Sequence, residues 1–411
     1  MGFLNVRPIL SALSRSWTGP LLVAAQIALT LAVLVNAIYI VKQRLEKIDR
    51  PTGIDVDNIF VIRSAGITDK FAHEATIRAD LVYLRSVPGV VAVTPIDFPP
   101  LSDRGNRLGV MLKANDQAHG VRTSYYEVDD QALAALGLRL IAGRPFRQDD
   151  ILSPRSGVGP ITPVHDVIVT QSLAKMLYPN ENPVGKTLYD TFGFLSSPAT
   201  IVGIIDRMQG SRLSSDSADR VLLAPRLPYP DEPVAHYLVR TRPGQRNLIM
   251  GSVEKHLQDS SSDRMIEWIR PLSYFKHRSY LADRNMGIFL IAVTVMLLAI
   301  TSTGIYGLAT FNVRTRTKQI GIRRALGAQR ADIISYFLIE NWLVTTAGVI
   351  AGCALALEAG FWLSRHYGLP RLDLYYLVGG IPIIWVVGQL AAWYPAWRAS
   401  RLSPAIATRN V

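Results

Sequence analysis

A chain of 411 residues with 44 Lys+Arg against 32 Asp+Glu has a net charge of +12, a pI near 9.8 and a positive mean hydropathy of +0.20. No zinc-finger spacing or RNP-like aromatic motif accompanies the basic charge, so composition does not point to a nucleic-acid partner. The single cysteine, Cys353, excludes an intrachain disulfide.

In chain order, residues 1–19 place apolar residues at helical spacing around Arg7 and Arg15, which predicts an interfacial amphipathic helix. Residues 20–41 follow without a charge. About 20 apolar residues at ~1.5 Å each cross a bilayer core, so this run predicts a first transmembrane helix. It is too long for a signal-peptide core and has no small-x-small cleavage site after it, so an uncleaved anchor is expected.

Residues 42–284 carry most of the charge and predict one large folded domain. "NIFVIRS" (58–64) reads as a strand, Ile77, Leu81 and Leu84 share a helix face, and Pro88-Gly89 turns into "VVAVTPI". "AHYLVRT" (235–241), a helix around 247–257 and "MIEWIRPL" (265–272) repeat that order, so two β-α-β units (56–118 and 232–275) are expected to form one split layer. The insert 121–225, with Gly turns at Gly137 and Gly143 and β-rich runs such as "ATIVGIIDRM", predicts a mostly β subdomain with small helices.

Three further apolar runs predict membrane helices at 285–313, 335–363 and 374–396, separated by a cationic segment (314–334) and a short loop (364–373), with a tail at 397–411. The run at 335–363 contains Glu340 and Glu358, 18 residues and about 27 Å apart along a helix. That spacing places both carboxylates near opposite interfaces rather than in a proton relay. Short cationic segments stay cytoplasmic whereas long domains cross largely regardless of charge. Residues 1–19, 314–334 and 397–411 carry net +2, +5 and +3. Both termini are therefore expected inside and 42–284 outside.

The candidate catalytic patterns dissolve on inspection. "NPVGKT" ends like a phosphate-binding loop but has Asn180 where the first glycine is needed, so a turn is expected. Ser172 and Lys175 match Ser-x-x-Lys without its companion elements. The seven histidines are dispersed, so no metal site and no enzyme is expected.

What remains is "RTRTKQIGIRRALGAQRADII", residues 314–334. Ile322 and Leu326, Ile333 and Phe337, and Ile334 and Leu338 recur four apart among Arg323, Arg324 and Arg330, with glycines at 321 and 327. The spacing fits either a topology-setting loop or a docking helix for a cytoplasmic partner.

These residues resemble the FtsX-like permease superfamily, and specifically the MacB-type ABC permeases. The similarity lies in Ile320, Gly321, Ala325, Leu326, Gly327, Ala328 and Glu340, and in Pro395, Ala396, Ala399, Pro404, Ala405 and Arg409. In the large domain, "LGLRLIAGRPF", "NPVGKTL" and "TIVGIID" are similar to the family's periplasmic core domain.

The resemblance implies an α-helical membrane protein with four transmembrane helices plus an α+β periplasmic domain, in which a porter-like split layer holds a sabre-like insert. It implies a multi-pass protein of the bacterial inner membrane, paired with a second permease copy or a paralogous permease. A dimer of ABC ATPase subunits would bind ATP and magnesium, leaving no cofactor on this chain. It implies coupling through Ile320, Gly321, Arg323, Arg324, Ala325, Leu326, Gly327 and Ala328, and mechanotransmission to a periplasmic adaptor and outer-membrane channel. Lipoprotein release, or regulation of cell-wall hydrolases, are the neighbouring functions within the superfamily. The family usually has Glu where this chain has Gln319, which leaves Lys318 and Arg323 less compensated.

Overall fold

The computed structural model describes residues 17–68, 73–114, 116, 120–153, 163–190, 195–211, 217–228, 234–367 and 372–402. Most of the expected N-terminal amphipathic helix and most of the tail 397–411 lie outside the described residues, as do Pro404, Ala405 and Arg409. The chain divides into two compact units, Lys47–Ala282 and Met1–Glu46 with Asp283–Val411.

The elements run α1 (Thr18–Ile48), β1 (Ile59–Gly66), α2 (His73–Ser86), β2 (Val90–Ile96), β3 (Asn106–Met111), β4 (Val121–Val128), α3 (Ala132–Leu136), β5 (Leu140–Gly143), β6 (Val164–Thr170), α4 (Gln171–Leu177), β7 (Thr187–Asp190), β8 (Leu195–Ile205), β9 (Val221–Pro225), β10 (Val234–Thr241), α5 (Arg246–Asp259), β11 (Arg264–Pro271), α6 (Leu272–Ser279), α7 (Leu281–Thr315), α8 (Thr317–Ala325), α9 (Arg330–Tyr367) and α10 (Leu374–Ser400).

In the Lys47–Ala282 unit, β11-β1-β10-β2 form one antiparallel sheet. β1-α2-β2 and β10-α5-β11 are therefore split β-α-β units whose strands interleave. Strand β1 reads as a continuous apolar run because both of its faces are covered. Phe60 and Ile62 pack with Ile77, Leu81 and Leu84 of α2 and Ile249, Val253 and Leu257 of α5, whereas Ile59 and Val61 face a second core holding Tyr126, Val128 and Ile205. Each fully buried aliphatic side chain contributes about 1.5–3 kcal/mol. Arg264 of β11 donates to Asp80 of α2 and to the Leu257 carbonyl of α5 at 2.7 and 3.1 Å, tying both helices to the sheet edge.

The other strands make a seven-stranded mixed sheet, β5-β8-β6-β9-β4-β3-β7, in which β7 also pairs with β8. Six strands thus close into a ring with β5 added outside, around Val110, Val167, Val169, Ile201 and Leu222. Closure removes the free edges that would otherwise invite strand pairing with another chain. β3 corrects a boundary: it was expected in the first layer (56–118) but joins this ring, pairing Asn106–Val110 with Val121–Tyr125 of β4. The long strand-to-strand pairing with β4 outweighs the chain continuity with β2.

In the other unit, α1, α7, α9 and α10 are long and apolar enough to cross a membrane. α1 lies against α9 where Gly348 and Gly352 leave no room for a side chain. A Cβ at Gly348 would meet the Ala24 carbonyl oxygen at 2.8 Å, and one at Gly352 would meet the Ala28 Cα at 3.0 Å. Small residues four apart allow such an approach between apolar helices. Thr30 and Thr301 share a buried hydrogen bond of 2.7 Å between α1 and α7.

Candidate functional site

The cationic segment is not one helix. α7 ends at Thr315, α8 covers Thr317–Ala325, and α9 begins at Arg330. Gly327 makes the break, with φ of +98° in the left-handed region that glycine adopts without strain. The Gly327 and Ala328 amides donate to the carbonyls of Arg324 and Arg323 at 3.2 and 3.1 Å, closing the C-terminus of α8. Asp332 accepts from the Gln329 amide at 2.8 Å and caps α9.

The apolar residues of the segment divide between two surfaces. Ile320 is buried with Ile333, Phe337, Ala396 and Ala399, fastening α8 to α9 and α10, and Gly321 is buried beside it. Ile322 and Leu326 face solvent instead, Leu326 with 83% of its surface exposed. Ala325 and Gly327 are also exposed, and Ala328 is half-buried.

Arg316, the single residue between α7 and α8, donates to Glu340 at 2.9 Å and to the Tyr336 hydroxyl at 3.1 Å. Asn312 of α7 donates to the other Glu340 oxygen at 3.3 Å. The hinge residue is thereby joined to a carboxylate ten residues into α9, about 15 Å along its axis. Sequence spacing set Glu340 and Glu358 as an equivalent pair. The structure separates them: Glu340 is buried in an ion pair and Glu358 is exposed. Removing one member of a buried ion pair leaves an uncompensated charge.

Arg323 lies over the Tyr336 ring, 5.0 Å from its centroid, and Arg324 reaches the Ala328 carbonyl at 3.4 Å. Arg316, Gln319, Ile320, Arg323, Ile333, Tyr336 and Phe337 line a small open pocket between α8 and α9. Among the described residues, Lys318, Arg323, Arg324 and Arg330 have no carboxylate within ion-pair distance. The nearby acids are engaged: Glu340 with Arg316, Asp332 with the helix cap. Sequence reasoning singled out the cations but missed Arg316, Gln319 and Tyr336 as neighbours in one pocket. The three-residue step from Arg316 to Gln319 and the four-residue step from Gln319 to Arg323 contained that signal only once α9 was in place.

The other candidate motifs fall apart in space. Ser172 and Lys175 are exposed on α4, and Lys186 of "NPVGKT" pairs with Glu181 at 2.6 Å in a turn at Gly185. His236 is buried between Phe98 and Trp268, where burial and Arg63 pull its pKa down to about 4. His256 stacks on Tyr83, and His119 lies outside the described residues. Among the described residues no group of three or more His, Cys, Asp or Glu is placed to hold a metal ion.

Two family models match the chain: the FtsX-like permease C-terminal region over residues 291–404, and the MacB-like periplasmic core domain over residues 22–256. The second match alone spans more than half of the sequence. The chain belongs to the MacB-type ABC transporter permeases. Curated relatives include the macrolide export ATP-binding/permease protein MacB of Escherichia coli strain K12, 25% identical over 374 residues, covering 86% of this chain and 52% of that protein. The protein of the same name from Shigella flexneri gives the same figures. The chain thus spans about half the length of the curated relatives it matches. Among solved structures, the periplasmic region of MacB from Actinobacillus actinomycetemcomitans matches at 16% identity and a TM-score of 0.34, covering 57% of this chain and 97% of that one. The extracellular domain of the ABC-type transporter YknZ from Gram-positive bacteria matches at 12% identity and a TM-score of 0.32, covering 51% and 100%.

Proposed function

We propose that this MacB-type permease transmits ATP-driven motion from a cytoplasmic ABC ATPase to its large outer domain, with α8 as the docking element. The observation that carries the reading is the division of α8 into two faces. Ile320 and the hinge pair Arg316–Glu340 fix one face to α9, Arg323 lines the open pocket beside them over the Tyr336 ring with no carboxylate partner among the described residues, and Ile322 and Leu326 are left for a partner. A docking element needs both: a rigid attachment to pass force and an unsatisfied outer face to receive it.

In this reading the protein sits in the bacterial inner membrane with its termini and α8 on the cytoplasmic side and the Lys47–Ala282 unit outside. ATP and magnesium are bound and hydrolysed by the ATPase, and the permease contributes no catalytic group. It works as a dimer with a second permease, and its outer domain engages a periplasmic adaptor and an outer-membrane channel to expel substrate. Family membership and the positive charge of the short segments support this arrangement.

The test is the double charge reversal R323E/R324E in the full chain. Both side chains lie outside the buried cores, so membrane insertion is expected to persist while ATPase association or substrate-stimulated hydrolysis falls at least about tenfold. Unchanged stimulated hydrolysis in the variant removes α8 as the docking element.

A further inference from the structure

We infer that the pocket between α8 and α9 receives a carboxylate side chain of the docking partner, and that Gln319 sets the charge this pocket accepts. This rests on the docking reading above and names the chemistry of the contact within it.

The pocket's walls are already assembled in the isolated chain. Arg316 is held by Glu340 and Tyr336, and Tyr336 in turn supports the Arg323 guanidinium. Ile320, Ile333 and Phe337, all buried, form an apolar floor. A charge meeting a guanidinium against such a floor is less screened than one on an open surface. Glu340 compensates Arg316. Arg323 has no carboxylate of its own among the described residues, and Gln319 on the same pocket wall is neutral. The pocket therefore has one cation more than it has carboxylates, and it is open to solvent on one side. An Asp or Glu can accept from the Arg323 guanidinium and from the Gln319 amide together.

A protein occupant fits better than a lipid phosphate because of what surrounds the pocket. Leu326 projects from the end of the same short helix with 83% of its surface exposed, and Ile322 stands one turn before it. An apolar tip beside a cationic pocket matches a socket with an acidic rim, in which complementary charges fix register as well as attraction.

The experiment uses the full-length chain in nanodiscs of zwitterionic lipid and of mixed zwitterionic and anionic lipid, titrated with its ABC ATPase. Gln319 is exposed, so Gln319→Glu is expected to fold and insert. It fills the pocket's charge from within and should weaken ATPase binding about tenfold or more in both lipids. Ala331→Glu, which adds the same charge outside the pocket on α9, should change binding less than about threefold. Gln319→Lys places an amine in the pocket, and carbodiimide should join it to an acidic residue of the ATPase. If Gln319→Glu binds normally while Leu326→Asp abolishes binding, the pocket inference fails and docking stands. If neither Leu326→Asp nor R323E/R324E has an effect, the docking reading fails with it. If Gln319→Glu lowers only the retention of anionic lipid, the occupant is a lipid phosphate and the inference is overturned.

Discussion

The buried pairs Arg264–Asp80 and Arg316–Glu340, one from each unit, use their charge differently. Arg264 in the outer unit is nearly fully enclosed, and its guanidinium donates to Asp80, to the Leu257 carbonyl through two nitrogens and to Ser260. Arg316 at the α7–α8 hinge has 16% of its side chain exposed, and among the described residues only its Nη1 is engaged, by Glu340 and Tyr336. The first pair is a closed fastening between two helices and a sheet edge. The second fixes one side of a residue whose other side lines a pocket. The transmission proposed above would use both kinds: a firmly fastened outer body, and a connector that holds its helices while staying open to a partner.

The comparison breaks most visibly when one carboxylate is removed. Asp80→Ala leaves Arg264 buried without its counter-charge and is expected to destabilise the outer unit by about 3–5 kcal/mol. Glu340→Ala leaves Arg316 with Tyr336 and partial access to solvent, so about 1–3 kcal/mol is expected. Thermal unfolding and limited proteolysis of the full chain in nanodiscs measure both. Equal losses at the two sites would mean that the hinge pair is as closed as the outer one.

A smaller effect separates titrating groups inside the outer unit. Burial, opposed by Arg85, raises Asp129 to about 6, and burial with the nearby Glu127 raises Asp97 well above the usual carboxylate range. Burial and the Arg63 charge lower His236 to about 4. A raised carboxylate holds its proton more tightly in the folded chain, so the stability it contributes is complete below about pH 4 and is lost as pH rises through 6. A lowered histidine does the reverse: its contribution is complete above about pH 6.5 and is lost as pH falls toward 4. Between pH 4 and 6 the groups oppose one another. Replacing His236 with Gln removes one side of that balance, and the variant should gain stability on acidification by about 1–3 kcal/mol relative to the parent. Parallel pH profiles for parent and variant would refute the neutral buried histidine.

Much of the outer layer was legible because its signals are local. Ile77, Leu81 and Leu84 share a helix face whatever the rest of the chain does, and Pro88-Gly89 announces the return strand. The placement of β3 was not legible, since its partner β4 is chosen by side-chain packing that no short window contains. In the connector, residue types and spacing pointed to α8, yet Ile320 and Ile322 look alike in sequence. Only the position of α9 and α10 makes one a buried anchor and the other an exposed contact. The Arg316–Glu340 pair spans 24 residues, and nothing local links its members.

The turn that ends α8 differs from a turn in the outer unit in one respect only. Gly327 and Gly143 have φ of +98° and +77°, so each carries the same backbone demand for a residue that tolerates the left-handed region. Their surroundings differ. A Cβ at Gly143 would meet the Val202 carbonyl oxygen at 2.1 Å, and backbone cannot swing aside as a flexible side chain can, whereas one at Gly327 meets nothing within 4 Å. Asparagine supplies the left-handed tolerance with a Cβ attached. Gly143→Asn should therefore cost more than about 2 kcal/mol through the clash between β5 and β8. Gly327→Asn should cost about 1 kcal/mol, the backbone strain alone, and leave ATPase binding intact. A large stability loss at Gly327 would mean that the turn is packed in the assembled protein. Retained stability with lost ATPase binding would place the turn itself, rather than only Leu326 beside it, against the partner.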